Sequence, residues 1–193
     1  MNRYEIVALA ASAGGLKALS VVLAALPAAF PAALAVVQHL DRRRPSLLTE
    51  ILLRRTRLRV EQARTGRRLM PGTAYIAPSD HHLLVNKGGF LSLTQTELVH
   101  FVRPSADLLF ESAAAAYRDR AIAVVLSGSG VDGAMGVRAI KKMGGVVIVQ
   151  DQKSSEFFGM PDAAERTGVA DFVLALHEIA PVLEKLVGQN AVA

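Results

Sequence analysis

The sequence predicts an α/β protein with a doubly wound, mostly parallel sheet and helices on both faces. This is a Rossmann-like three-layer fold, here with one added antiparallel β-hairpin. Several segments, of which residues 121–126 are the clearest, are continuous aliphatic stretches without polar alternation. Such strands are typical of parallel sheets, because helices cover both of their faces. Helical patterns alternate with these strands along the chain, which indicates βα units.

The individual elements follow from this hydrophobic periodicity. We place strands near residues 5–10, 33–38, 58–62, 73–77, 121–127, 145–150 and 171–174. We place helices near residues 15–26, 45–56, 105–118, 131–143, 161–167 and 177–187. Segment 82–93 is predicted to form the hairpin, with its turn at residues 86–89, because an asparagine and two glycines interrupt its apolar residues there.

The composition predicts a single globular domain. The chain has 193 residues, of which 51% are hydrophobic and 20% charged, and we expect one domain over residues 1–188 with a frayed tail at 189–193. Cysteine is absent, which excludes a disulfide framework, a zinc–thiolate site and a cysteine nucleophile, and a cytoplasmic location fits. Pro27 and Pro31 interrupt the apolar stretch 18–37, so a helix, a loop and a strand explain it better than a membrane span.

Basic residues are concentrated in one part of the chain. The formal net charge is +5, and arginines cluster between residues 42 and 68, notably at 42–44 and 54–59. This cluster fits either a solvated helix face or a docking surface for an acidic partner. Aromatic residues do not alternate with the arginines and no nucleic-acid motif occurs, so we expect no nucleic-acid partner.

Three residues of types that can take part in catalysis follow predicted strands. Ser12 comes after the first strand and precedes two glycines, His39 ends the second strand, and Asp132 lies in the glycine-rich segment 126–134. Taken singly, the serine and the aspartate could be helix caps and the histidine a structural residue. Because the carboxyl ends of parallel strands share one edge of the sheet, all three are expected to converge there.

Together these residue types are those of a serine hydrolase. A serine hydroxyl is a weak nucleophile until a histidine takes its proton and a carboxylate orients the imidazole. The glycine-rich turns would also expose backbone N–H groups near Ser12 and Ser129, where they could stabilise an oxyanion. The chain order is Ser…His…Asp and no G-x-S-x-G elbow is present, unlike the α/β-hydrolases.

Several segments, in order, resemble the catalytic domain of the bacterial chemotaxis protein-glutamate methylesterases, the CheB type. The resemblance runs from about residue 7 to residue 180. It rests on Ala-Ser-Ala-Gly-Gly at 11–15, Val-Val-Gln-His at 36–39, Tyr-Ile-Ala-Pro at 75–78, His-Leu-Leu-Val at 82–85, Arg-Pro-Ser-Ala-Asp-Leu-Leu-Phe at 103–110, Leu-Ser-Gly-Ser-Gly-Val-Asp-Gly-Ala at 126–134 and Gly-Met-Pro at 159–161.

The resemblance implies hydrolysis of glutamate γ-methyl esters on the cytoplasmic helical domain of chemoreceptors, with release of methanol, and in some members deamidation of receptor glutamines. It implies Ser12 as nucleophile, His39 as base and Asp132 as its orienting carboxylate. The oxyanion donors correspond to the backbone at Ala13 and Ser129, where the family commonly has threonine and methionine. The loop of Met160 would lie near the cleft, making this residue a candidate for lining it.

Regulation and the remaining polar residues complete the sequence-based expectations. Many family members carry an N-terminal receiver domain; here the first strand begins at Glu5, so we expect none and consider a separate regulatory partner. We expect no cofactor and no metal, because His81 and His82 lack a third ligand. Asp107 and Glu111 are expected to be surface charges or caps of their own helix. The alternative to an enzyme is a non-catalytic regulatory or phosphate- or nucleotide-binding module on the same fold.

Overall fold

The computed structural model of the protein describes residues 4–40, 43 and 46–188. Seven strands form one parallel sheet in the order β3-β4-β2-β1-β7-β8-β9, and β5 and β6 form a separate antiparallel pair. The strands are β1 (Ile6–Ala11), β2 (Ala33–Gln38), β3 (Arg59–Gln62), β4 (Thr73–Ile76), β5 (His82–Asn86), β6 (Phe90–Thr94), β7 (Ala121–Val125), β8 (Val146–Gln150) and β9 (Phe172–Leu174).

Six α-helices connect and cover these strands in the described ranges. They are α1 (Gly15–Ala25), α2 (Leu48–Leu53), α3 (Ala106–Tyr117), α4 (Ala134–Lys142), α5 (Gly159–Glu165) and α6 (Leu176–Gly188). Short 3₁₀ turns occupy residues 87–89, between β5 and β6, and residues 118–120, before β7. None of the helices in these ranges is long and apolar enough to cross a membrane.

Two hydrophobic cores lie on the two faces of the sheet and make the fold a three-layer structure. Alternate residues of β1 point to opposite faces, as a strand requires: Val7 and Leu9 belong to one core, and Ile6 and Ala8 to the other. Helices α1, α2 and α6 pack on the first face, whereas α3, α4, α5 and the hairpin pack on the second. The predicted doubly wound fold with one hairpin is confirmed.

The predicted bounds agree within a few residues except at the second helix. This helix was expected over 45–56, but α2 covers only 48–53, and residue 45 lies outside the described part. The backbone N–H groups of Arg55 and Thr56 both donate to the Leu52 carbonyl, and the Thr56 hydroxyl donates to the Leu23 carbonyl. This turn ends the helix. The predicted tail at 189–193 also lies outside the described residues.

The direction in which the chain winds through the sheet reverses at the central strand β1. Strand β1 pairs with β2 on one side and with β7 on the other, so the chain winds outward from β1 in both directions. In open α/β sheets, ligands bind at the carboxyl ends of the strands beside such a switch point. Ser12, His39 and Asp132 lie just beyond β1, β2 and β7 respectively.

Candidate active site

The turn after β1 holds the backbone of Ser12 firmly but leaves its side chain free. The Ser12 N–H donates to the Ser127 carbonyl at 3.0 Å, and the Gln38 side-chain amide donates to the Ser12 carbonyl at 2.6 Å. The N-cap of α1 is Gly14, whose φ of 73° suits glycine, so Ser12 is not the helix cap. Among the described residues, the Ser12 hydroxyl has no hydrogen-bond partner.

The residue after β2 lies beside this turn and contacts the predicted carboxylate. The His39 N–H donates to the Ala11 carbonyl at 3.0 Å, and the same Gln38 amide reaches the His39 carbonyl at 3.1 Å. The His39 Nε2 lies 2.8 Å from Asp132 Oδ2, and the two side chains are only 8% and 3% exposed. A neutral imidazole that donates its Nε2–H to this carboxylate keeps Nδ1 as a proton acceptor.

Asp132 also caps a helix, but not its own. Its carboxylate accepts hydrogen bonds from the backbone N–H groups of Ala106 at 2.6 Å and Asp107 at 3.1 Å, and from the Ser105 hydroxyl at 2.9 Å, all at the start of α3. Burial alone would raise the pKa of Asp132, but the hydrogen bonds from His39 and from these amides lower it below its ordinary value. The carboxylate is therefore held in its ionised form.

Asp107 caps the following helix, α4, as Asp132 caps α3. It is 4% exposed, and its Oδ1 accepts hydrogen bonds from the N–H groups of Gly133 at 3.0 Å and Gly136 at 2.7 Å, at the start of α4. The expectation of a surface charge or a cap of its own helix was wrong, because the start of α4 packs against α3 and buries the carboxylate. This burial raises the pKa of Asp107; the Gly136 hydrogen bond opposes the rise and the charge of Asp132 adds to it.

The two amides predicted as oxyanion donors are unpaired in the described part of the chain. Neither the Ala13 N–H nor the Ser129 N–H donates to an acceptor there. The peptide that carries the Ala13 N–H is oriented through the Ser12 carbonyl, which accepts from the Gln38 amide at 2.6 Å and from the Gly15 N–H at 2.8 Å. Ser127 holds the following peptide, because its hydroxyl donates to the Ala13 carbonyl at 2.8 Å. Ser127 is thus a supporting residue that the sequence interpretation missed, although it stands in the motif at 126–134.

Met160 supports the site from behind and does not line an open surface. It is only 1% exposed, which corrects its expected role as a cleft-lining residue. Its N–H donates to the Gly128 carbonyl at 2.8 Å. A Cβ at Gly128 would lie 2.4 Å from the Met160 Sδ and 2.9 Å from the Ser12 Cβ. Any side chain at residue 128 would therefore push the glycine-rich turn away from Ser12.

The two histidines that precede the hairpin have structural partners: His81 Nδ1 lies 2.9 Å from the Ser79 carbonyl. His82 is fully buried: its Nε2 lies 2.9 Å from the Glu97 carbonyl and its Nδ1 accepts from the Ser105 N–H at 3.1 Å. Burial lowers the pKa of His82, so the ring is neutral.

One cluster in the described ranges presents atoms of the type that bind metals. Atoms of His100, Asp107 and Asp132 lie within 4.8 Å of one another. Both carboxylates already accept the hydrogen bonds from the two helix N-termini, so the cluster is explained as a hydrogen-bond network. The absence of a metal stays a prediction.

A groove beside Ser12 carries basic side chains. Its volume is about 490 Å³, and Lys17 and Arg55 line it together with residues of the Ser12 turn. In the cluster expected as a docking surface, Arg43 is exposed, whereas residues 42 and 44 lie outside the described residues.

Comparison with known proteins reveals the same family repeatedly. The family model described as CheB methylesterase matches residues 7–183. The protein-glutamate methylesterase FrzG of Myxococcus xanthus is 43% identical over 93% of this chain, which spans 54% of that relative. A chain from Leptospira interrogans is 36% identical over 97% of both proteins. The crystal structure of the Thermotoga maritima CheB methylesterase catalytic domain superposes with a TM-score of 0.90 at 36% identity, covering 95% of this chain and 99% of that one.

Proposed function

The chain belongs to the CheB methylesterase family, and from this premise we propose that it hydrolyses protein glutamate γ-methyl esters with Ser12 as nucleophile, His39 as base and Asp132 as orienting carboxylate. The observation that carries these assignments is the hydrogen bond from His39 to the ionised Asp132 beside a serine whose hydroxyl has no structural task. The family supports this enzymatic function and gives no support to the alternative of a non-catalytic binding module.

The proposed reaction has two steps through one covalent intermediate. The Ser12 Oγ attacks the ester carbonyl while His39 Nδ1 takes the hydroxyl proton, and Asp132 stabilises the imidazolium that forms. His39 then gives this proton to the leaving methoxide, so methanol departs and a glutamyl ester of Ser12 remains. Water, deprotonated by His39, hydrolyses that ester and releases the glutamate side chain. A glutamine would form the same intermediate with loss of ammonia, which accounts for the proposed deamidation.

The unpaired amides complete the proposed site. The negative charge of each tetrahedral intermediate would be stabilised by the N–H groups of Ala13 and Ser129. A donor of this kind contributes about 3 kcal/mol to transition-state stabilisation. Both donors are backbone groups, so alanine and serine at these positions preserve the donors that threonine and methionine offer elsewhere in the family.

The substrate partner and the setting are part of the proposal. We infer that the partner is the cytoplasmic helical domain of a chemoreceptor and that the setting is the cytoplasm. The site is proposed to need no cofactor. We also infer one catalytic domain over residues 1–188, since the family match and α6 end within it.

The test is methanol release from a methyl-esterified cytoplasmic fragment of a chemoreceptor. We expect release by the wild type, release at the wild-type rate by Ser92→Ala in the hairpin, and none by Ser12→Ala. Circular dichroism and thermal unfolding would show that both variants are folded. Equal release by the wild type and Ser12→Ala would refute the assigned nucleophile.

A further inference from the structure

Residues 99–102 form a two-residue hairpin turn with an unusual backbone. The N–H of Val99 donates to the Val102 carbonyl at 3.2 Å, and the N–H of Val102 donates back at 2.9 Å. The two residues between them have φ values of 48° at His100 and 65° at Phe101. Turns with two positive φ values normally contain glycine, which has no Cβ, or asparagine or aspartate, whose short side chains hydrogen-bond locally; other residues are strained there.

The surrounding structure holds this strained turn in place on both sides. The His100 Nε2 lies 3.1 Å from Asp107 Oδ2, on the carboxylate that caps α4. On the other side, Arg103 donates to Asp80 Oδ1 at 2.7 Å and to the carbonyl of Thr96 at 2.6 Å. Strain that persists under such restraint is characteristic of ligand-binding and active-site segments.

The restrained turn exposes an aromatic ring one residue along the chain from His100. Phe101 is 92% exposed, more than any other large apolar side chain in the described residues. Its neighbour His100 belongs to the cluster that lies within 4.8 Å of Asp132. The turn therefore exposes a phenylalanine one residue away from a side chain that reaches the Asp132 cluster.

Other exposed apolar side chains adjoin the same site. Leu40, 39% exposed, follows His39; Val131, 53% exposed, precedes Asp132. Phe157, 44% exposed, is joined to the glycine-rich turn through its backbone N–H, which donates to the Ser127 hydroxyl at 3.0 Å. We call Leu40, Phe101, Val131 and Phe157 the apolar rim. Each member of this rim flanks a residue of the site or of the turns around it, and exposed apolar groups around a polar site are typical of a binding surface.

We propose that the apolar rim, with Phe101 as its anchor, is the docking surface for the substrate helix that carries the esterified glutamate. This inference rests on the proposed function. The occupant follows from continuity with the active site, because a protein whose side chain reaches Ser12 must cover the surface around it. Lys17 and Arg55 in the adjoining groove complement acidic groups on the same helix. The rim thus selects a helix with apolar residues beside the ester and acidic residues towards α1.

The test compares binding in a background without turnover. In Ser12→Ala protein, the Kd for the esterified receptor fragment would be measured calorimetrically with and without Phe101→Asn. Asparagine tolerates the positive φ, so this variant keeps the turn and removes only the ring. We expect a Kd about tenfold higher, as for an aromatic anchor.

The matched control is another exposed phenylalanine. Phe90 is 46% exposed at the start of β6, and its neighbours Gly88 and Gly89 line a cavity with Glu5, at the edge of the sheet opposite to Ser12. Phe90→Ala should leave the Kd unchanged. An unchanged Kd in Phe101→Asn would overturn the docking surface even if methanol release by the wild type upholds the proposed function. A raised Kd would uphold the surface even if no methanol is released.

Discussion

Helices α1, α3 and α4 begin around the proposed site, but only two of them have a side chain that accepts hydrogen bonds from the backbone amides at their start. Helices α3 and α4 exchange carboxylates: Asp132 accepts from the first amides of α3, and Asp107 accepts from those of α4. The turn before α1 has no side-chain cap, and the Ala13 N–H has no acceptor in the described residues.

This difference separates the rigid half of the site from its reactive half. The exchanged caps fix Asp132, and through it the His39 ring, by hydrogen bonds that are complete before any substrate binds. The open turn, residues 12–14, leaves the Ala13 N–H available, and in the proposed reaction this donor would meet a charge that arises only during turnover. Preorganised donors of this kind stabilise a transition state without reorganisation. The comparison therefore predicts that substitutions on the two sides affect stability and activity differently.

Of the two carboxylates that exchange caps, Asp132 should have the larger effect on activity, which Asp132→Asn tests. The amide of asparagine cannot stabilise the imidazolium. Its Nδ2 group is a donor and would lie opposite another donor, at a position where the carboxylate accepts. We therefore expect kcat for ester hydrolysis to fall about 10³- to 10⁴-fold. The measurement is the steady-state rate of methanol release. Asp162→Asn, which removes a surface carboxylate from α5, serves as control and should retain the wild-type rate. A loss below about tenfold in Asp132→Asn would contradict the role of this carboxylate.

Asp107 should matter chiefly for stability. Asp107→Ala leaves the buried N–H groups of Gly133 and Gly136 without an acceptor, which should lower the free energy of unfolding by about 1–3 kcal/mol. Asp107→Asn keeps an acceptor at Oδ1 and should cost less than about 1 kcal/mol. Urea denaturation gives both values. Equal losses in the two variants would show that the capping bonds are not what Asp107 contributes.

The pKa values of the two carboxylates predict pH effects of opposite sign. The lowered pKa of Asp132 contributes stability that is present above pH 3.8, its ordinary value, and is lost as the pH falls through the folded-state pKa. The raised pKa of Asp107 does the reverse: its contribution is greatest below pH 3.8 and is lost as the pH rises through the folded-state pKa.

The measurement is the free energy of unfolding as a function of pH in the wild type and the two asparagine variants. Asp132→Asn should remove a rising slope below about pH 4, and Asp107→Asn a falling slope above it. Glu111, whose pKa is raised by burial and by the charges of Asp107 and Asp132, would shift in both variants, so all three proteins are compared in a Glu111→Gln background. Slopes of the same sign would contradict the opposite environments of the two aspartates.

The smallest effect on stability is expected at the nucleophile. The Ser12 hydroxyl makes no hydrogen bond with the described residues, so Ser12→Ala should change the free energy of unfolding by less than about 0.5 kcal/mol while abolishing turnover. Thermal unfolding checks the first part and methanol release the second. A large loss of stability would mean that the Ser12 hydroxyl stabilises the folded protein.

Much of this arrangement was accessible from the sequence because strand ends are local signals. Continuous aliphatic stretches mark β1, β2 and β7, and the parallel sheet then requires Ser12, His39 and Asp132 to share one edge. The exchange of caps was not accessible. A cap is normally sought within three residues of its own helix, whereas Asp132 and Asp107 each cap the helix of the other, through packing of α3 on α4.

The turn at residues 99–102 was missed for a similar reason. Its central residues, His100 and Phe101, carry no turn signal, since neither is glycine, asparagine or proline. Tertiary contacts of His100 with Asp107, and of Arg103 with Asp80, impose the positive φ values against local preference. Sequence periodicity cannot reveal a conformation that only the folded surroundings maintain.

The central claim is that the open turn before α1 carries the nucleophile and that the exchanged caps hold the carboxylate that orients its base. A serine-reactive phosphonate tests this claim most directly. The labelled protein would be digested and the modified residue identified by mass spectrometry, in the wild type and in Asp132→Asn. We predict one adduct, on Ser12, formed much more slowly in the variant. Labelling of another serine, or equal rates in the two proteins, would contradict the account.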